Sequence, residues 1–133
     1  MMDATTYDII CIITSALMVG ISIPQIYRIP YLAVCISGIV SVAMRSYRLL
    51  IGQQGICVKN VLWFMDIICA VSAYIIVFIF CSRKQKQICM LSFVLMGISL
   101  YLGLVVRDKY YRGRYPHALA HIINVVMLAI LAL

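Results

Sequence analysis

A chain of 133 residues that is 65% hydrophobic and 11% charged, with a mean hydropathy of +1.09, lacks the polar surface that a water-soluble globule of its size needs. Its 11 Lys and Arg against four Asp and no Glu give a net charge of +7. Those charges fall between long apolar runs, which argues against a nucleic-acid-binding face and suits loops lying on anionic headgroups.

Five apolar runs are long enough to cross ~30 Å of hydrocarbon as helices: residues 8–26, 31–51, 61–81, 88–106 and 116–133. None alternates apolar and polar residues as a barrel strand does, and an open sheet would leave backbone groups unpaired in lipid. The predicted fold is therefore an all-α integral membrane bundle of about five transmembrane helices, forming one multi-pass domain. The first run carries Asp3 and Asp8 at its start, where a signal peptide has Lys or Arg, and no small-x-small cleavage pattern follows it. It reads as a mature helix. Pro24 and Pro30 bracket the first turn, Gly52 and Gly55 mark the second, residues 82–87 form the third, and 107–116 the fourth, with Pro116 suited to the first turn of the last helix. Five crossings place the N-terminus with the 52–60 and 107–116 loops. That face holds Arg48, Lys59, Arg107, Lys109, Arg112 and Arg114 against Arg28, Arg83, Lys84 and Lys86 opposite, an excess that makes it the cytosolic side. The six cysteines, Cys11, Cys35, Cys57, Cys69, Cys81 and Cys89, show no zinc-ribbon or disulfide spacing and read as small apolar filler.

Four ionisable side chains fall inside the runs, where such groups mark function by default: Arg45, Asp66, His117 and His121. Arg45 lies six residues before position 51 and Asp66 six after position 60, so both sit ~9 Å below one surface. The last helix starts from that same surface. The i, i+4 spacing of His117 and His121 turns both rings to one side, as two ligands of a single metal require. Asn124 extends the histidine face, and Ser37, Ser41 and Arg45 form a stripe at intervals of four. Plainer roles compete. The histidines can lie at headgroup level, Arg45 can snorkel beside Arg48, and Ser37, Gly38, Ser41 and Gly97 can serve close helix packing. Asp66 is too short to snorkel that far and needs a partner.

Ser41-x-x-x-Arg45, Asp66 early in the next helix, and His117-x-x-x-His121 opening the last resemble the CREST superfamily of membrane hydrolases, which includes alkaline ceramidases, adiponectin receptors and post-GPI-attachment lipases. In that family Ser-x-x-x-His, Asp and a terminal His-x-x-x-His build a zinc site inside seven helices. Asp108-Lys-Tyr-Tyr ahead of His117-Ala-Leu-Ala-His121 is similar to the approach to the family's last helix, and the order of Ser15, Pro24, Ser41 and Asp66 to its first three. The resemblance implies a shortened seven-helix core with zinc on His117 and His121. The implied activity is hydrolysis of a lipid amide or ester, with Asp66 as base and Ser41 orienting the carbonyl. Two departures stand out. The family's first histidine ligand falls at Arg45, which has no lone pair and carries a permanent charge, leaving Asp66 or Cys69 as further donors. Two helices are also missing. The implied protein is a degenerate hydrolase in which Arg45 pairs with Asp66 in place of the metal's charge.

Other classes remain in view. Ile23-Pro24-Gln25-Ile26 resembles the PQ-loop of small carriers, although no second Pro-Gln follows. An oligomeric ion channel would line its pore with Asp66 and the histidines. A non-catalytic scaffold would bind partner transmembrane helices or further copies of the chain. In every case the expected partners are membrane lipids and not nucleic acid.

Overall fold

A computed structural model describes residues 3–51, 56–105 and 114–132. Among them are five α-helices and no strand: α1 (Ala4–Ser22), α2 (Ile29–Ile51), α3 (Ile56–Phe80), α4 (Arg83–Val105) and α5 (Arg114–Ala132), with a 3₁₀ turn, Ile23–Gln25, between α1 and α2. Two helices are clearly long and apolar enough to cross a membrane, over Thr5–Gln25 and Ile29–Ile51. Shorter apolar stretches, Phe64–Phe80 and Tyr115–Ile130, lie in α3 and α5.

Each helix begins before its predicted apolar run does, and at α1 and α4 the reason is capping by polar side chains. Asp3 caps α1, its carboxylate accepting from the Thr6 backbone N–H at 2.6 Å. Asp8 is thereby moved from the predicted edge of the helix to its second turn. Ser82 donates its backbone N–H to Gln85 Oε1 at 2.8 Å, half of a capping box, so that Arg83 to Gln87 form the first turns of α4 instead of a loop. α1 stops at Ser22, ahead of the predicted boundary, where Pro24 removes an N–H and the chain tightens into the 3₁₀ turn.

α1 packs between α2 and α5, α2 carries α3, α5 carries α4, and a thin α3–α4 contact closes the ring. Closeness at the α1–α2 seam depends on Gly38, where a Cβ would stand 2.7 Å from Val19 Cγ2 and 3.1 Å from the Ser15 carbonyl oxygen. The same argument does not extend to Gly97, which has open space around it. The main apolar core joins Met18, Tyr31, Val34, Val77, Met127 and Leu128. A smaller one, Tyr7 with Cys11 and Ala118, lies where α1 meets the start of α5.

Polarity is distributed inside out. Asp8, Thr14, Ser15, Arg45, Ser92 and His121 are buried, whereas Ile13, Leu17, Ile39, Phe64, Ile75 and Leu91 are exposed. Between the helices lies a cavity of about 60 Å³ that all five help to line, with Ser15, Ser41, Asp66, His117, His121 and Asn124 as its polar wall.

Candidate metal centre

α1 supplies a stripe that its sequence spacing already contains. Tyr7 and Asp8, Cys11, then Thr14 and Ser15 recur at three to four residues and so share one helix face. Because α1 is flanked by α2 and α5, that face meets Arg45 on one side and the histidines on the other.

On the α2 side, Asp8 is the carboxylate that holds the buried arginine. Its Oδ1 accepts from Arg45 Nη1 at 3.0 Å and from Arg48 Nη2 at 2.7 Å, and its Oδ2 accepts from Arg48 Nε at 3.2 Å. Asp8 and Arg45 are each 3% exposed, so the pair is a buried one, and burial of either charge is costly without the other. The expected Arg45–Asp66 ion pair is not formed; Arg45 takes Asp8 because α1, not α3, presents its carboxylate to the guanidinium. Arg45 also stands over the Tyr7 ring at 4.9 Å from its centroid, a cation–π contact. The snorkelling role expected of Arg45 is likewise replaced by burial, while Arg48 remains partly exposed.

On the α5 side, His117 and His121 stack at 4.9 Å between ring centroids, with their Nε2 atoms 3.0 Å apart. Arg45 Nη2, always a donor, lies 3.2 Å from His117 Nε2, which therefore presents a lone pair to it. Thr14 Oγ1 lies within hydrogen-bond distance of the Ile10 carbonyl, at 2.8 Å, and of His121 Nδ1, at 3.3 Å; the tautomer of His121 sets the direction of that second bond and of its 3.0 Å contact with His117.

Cys11 Sγ completes a group with His117 and His121 in which one donor atom from each residue lies within 4.8 Å of the others, so these three can hold a metal ion. A thiol and two imidazoles suit zinc-type borderline cations, and three protein ligands match the number in catalytic zinc sites. Cys11, read from the sequence as apolar filler, is thus a candidate donor as well as a member of the small core, and Cys69 is no member of the group. Ser41 and Asp66 line the adjoining cavity, and the Ser15 hydroxyl is buried without a hydrogen-bond partner. At the far side of the cavity Asn124 Nδ2 donates to Tyr74 Oη at 2.7 Å, Tyr74 pairs with Ser92 Oγ at 2.6 Å, and Ser92 donates to the Ala120 carbonyl at 3.2 Å. That chain leaves Asn124 Oδ1 as a buried acceptor without a partner.

The sequence expected Arg45, Asp66, His117 and His121 at one end of the bundle: Asp66 and both histidines line one cavity together with Ser41, Arg45 reaches His117 from outside that lining, and Asp8, Cys11 and Thr14 were missed. Asp8 was taken for a helix flank and Cys11 for packing. The stretch Asp108-Lys-Tyr-Tyr, with Arg107 and Arg112, lies outside the described residues. No protein family, curated protein or solved structure matches this chain.

Proposed function

We propose that this chain is a multi-pass integral membrane protein, its five helices crossing or entering the bilayer, that holds zinc on Cys11, His117 and His121. It is a degenerate relative of zinc-dependent membrane hydrolases acting on lipid amides or esters. The membrane reading is supported by the inside-out polarity of the bundle together with two span-length apolar helices. The zinc reading rests on one observation: a cysteine sulfur and two histidine nitrogens gathered within 4.8 Å beside a cavity.

Arg45 occupies the position at which the CREST resemblance expects a third histidine, and Cys11, from the neighbouring helix, is the donor that stands in for it. Zinc, when bound, would supply Lewis acidity. The chain's own part is to place Ser41 and Asp66 on the wall of the cavity next to the donors, where they would orient and deprotonate reactants. A larger hollow of about 370 Å³, with Arg28 at its rim, shares Val34, Val77 and Leu128 with this cavity and offers an apolar path for an acyl chain.

A second reading, a metal-free and non-catalytic bundle, is favoured by the 3.2 Å contact between Arg45 and His117, since a guanidinium already satisfies the nitrogen that a metal would need. Zinc content per chain separates the two. Detergent-purified protein should carry near-stoichiometric zinc, and both Cys11→Ala and the His117→Ala/His121→Ala double variant should lose it. Wild-type protein without zinc, in zinc-supplemented growth, would leave the metal-free bundle. Hydrolysis of long-chain lipid amides and esters by the loaded protein, compared with Asp66→Asn, then reports whether the degenerate site retains turnover.

A further inference from the structure

We propose that Arg45 is a tethered cation that competes with the metal for His117, so that the site exchanges between an arginine-bound and a metal-bound state; this rests on the zinc reading above.

The nitrogen that metal binding requires, His117 Nε2, faces Arg45 Nη2 at 3.2 Å, while Asp8 grips the same guanidinium through Nη1 at 3.0 Å. The two contacts use different ends of one planar group. A rotation of the guanidinium can therefore release the histidine without surrendering the carboxylate, which also has Arg48 at 2.7 Å. Arg45 Nε is buried and has no hydrogen-bond partner, so the arginine-bound state leaves one of its donors unused.

Asp66 gives the displaced guanidinium a destination. It lines the cavity that His117 and His121 also line, on the helix packed directly against that of Arg45. Asp8 already faces two guanidinium groups, those of Arg45 and Arg48, and an added divalent ion with a Cys11 thiolate brings one further positive charge. Turning Arg45 from His117 toward Asp66 frees the histidine nitrogen for the incoming ion and sets the guanidinium against a carboxylate. In this account the Arg45–Asp66 pair belongs to the metal-bound state, and the Arg45–His117 contact to the metal-free one.

The inference is distinct from a purely stabilising role for Arg45, because it makes metal affinity depend on Arg45 in the direction opposite to that of a ligand. Zinc affinity is measured on metal-stripped, full-length protein in detergent micelles, by titration against a chelator of known affinity. Arg45→Met should bind zinc at least about tenfold more tightly than wild type, the exchange of one charge-assisted hydrogen bond. Asp66→Asn should weaken zinc in the wild-type background and have no effect once Arg45→Met is present. Unchanged or weaker binding in Arg45→Met, or an Asp66→Asn effect that is the same in both backgrounds, overturns the competition. Arg45→Gln, which keeps a polar group for Asp8, repeats the comparison if Arg45→Met does not fold. Cys11→Ser is the control that separates the two ideas. Wild-type affinity in Cys11→Ser means that the donor set itself is wrong, whereas loss of zinc there with no gain in Arg45→Met rejects the competition alone.

Discussion

The two ends of the bundle solve the same problem, polar groups in an apolar interior, by opposite means. At the end where α1 and α5 start, Asp8, Arg45, Arg48 and His117 are joined by charge-assisted bonds, and removal of the carboxylate leaves a full charge unpaired. Around Tyr74, Ser92 and Asn124, only neutral groups are chained together, closing the thin α3–α4 seam. Charged networks cost the most when half broken, and neutral ones cost about one hydrogen bond at a time. The difference is why the proposed function is placed at the charged end, since neutral bonds suffice to hold helices together.

The sharpest way to break this comparison is Asp8→Asn, which leaves Arg45 buried beside a neutral amide. It should destabilise the bundle by about 3–5 kcal/mol in denaturant titration of the micellar protein. The pairing itself is read from a cycle. Asp8→Asn and Arg45→Met should be strongly non-additive, whereas Asp66→Asn and Arg45→Met should be nearly additive in metal-free protein, since it is Asp8 that Arg45 contacts. At the α1–α2 seam Gly38→Ala should cost about 1–3 kcal/mol, the added methyl meeting Val19 and the Ser15 carbonyl, while Gly97→Ala should stay within about 0.5 kcal/mol of wild type. Smallest among the destabilising changes is Tyr74→Phe. Loss of the hydroxyl between Asn124 and Ser92 should cost about 1–2 kcal/mol in the same titration, with no change in zinc content.

The helices were legible because long apolar runs leave the backbone no alternative, and the position of Arg45 near the end of α2 followed from counting residues. Their starting points were not, since Asp3 and the Ser82–Gln85 pair act through capping, which hydropathy does not record. Ser41, Asp66, His117 and His121 were legible as polar residues out of place, and all four reach one cavity. The partner of Arg45 was hidden for a geometric reason. Which of two aspartates meets an arginine depends on the order of helices around the ring, and chain order does not specify that α1 sits between α2 and α5. Cys11 was hidden by chemistry: a cysteine in an apolar run looks like packing until two imidazoles are found beside it.

X-ray absorption at the zinc edge of the purified, zinc-loaded protein tests the donor set most directly. The account predicts one sulfur at about 2.3 Å with nitrogen neighbours at about 2.0–2.1 Å, and loss of the sulfur shell in Cys11→Ser. A zinc environment of nitrogen and oxygen alone in the wild type, or a sulfur shell that survives Cys11→Ser, would contradict it.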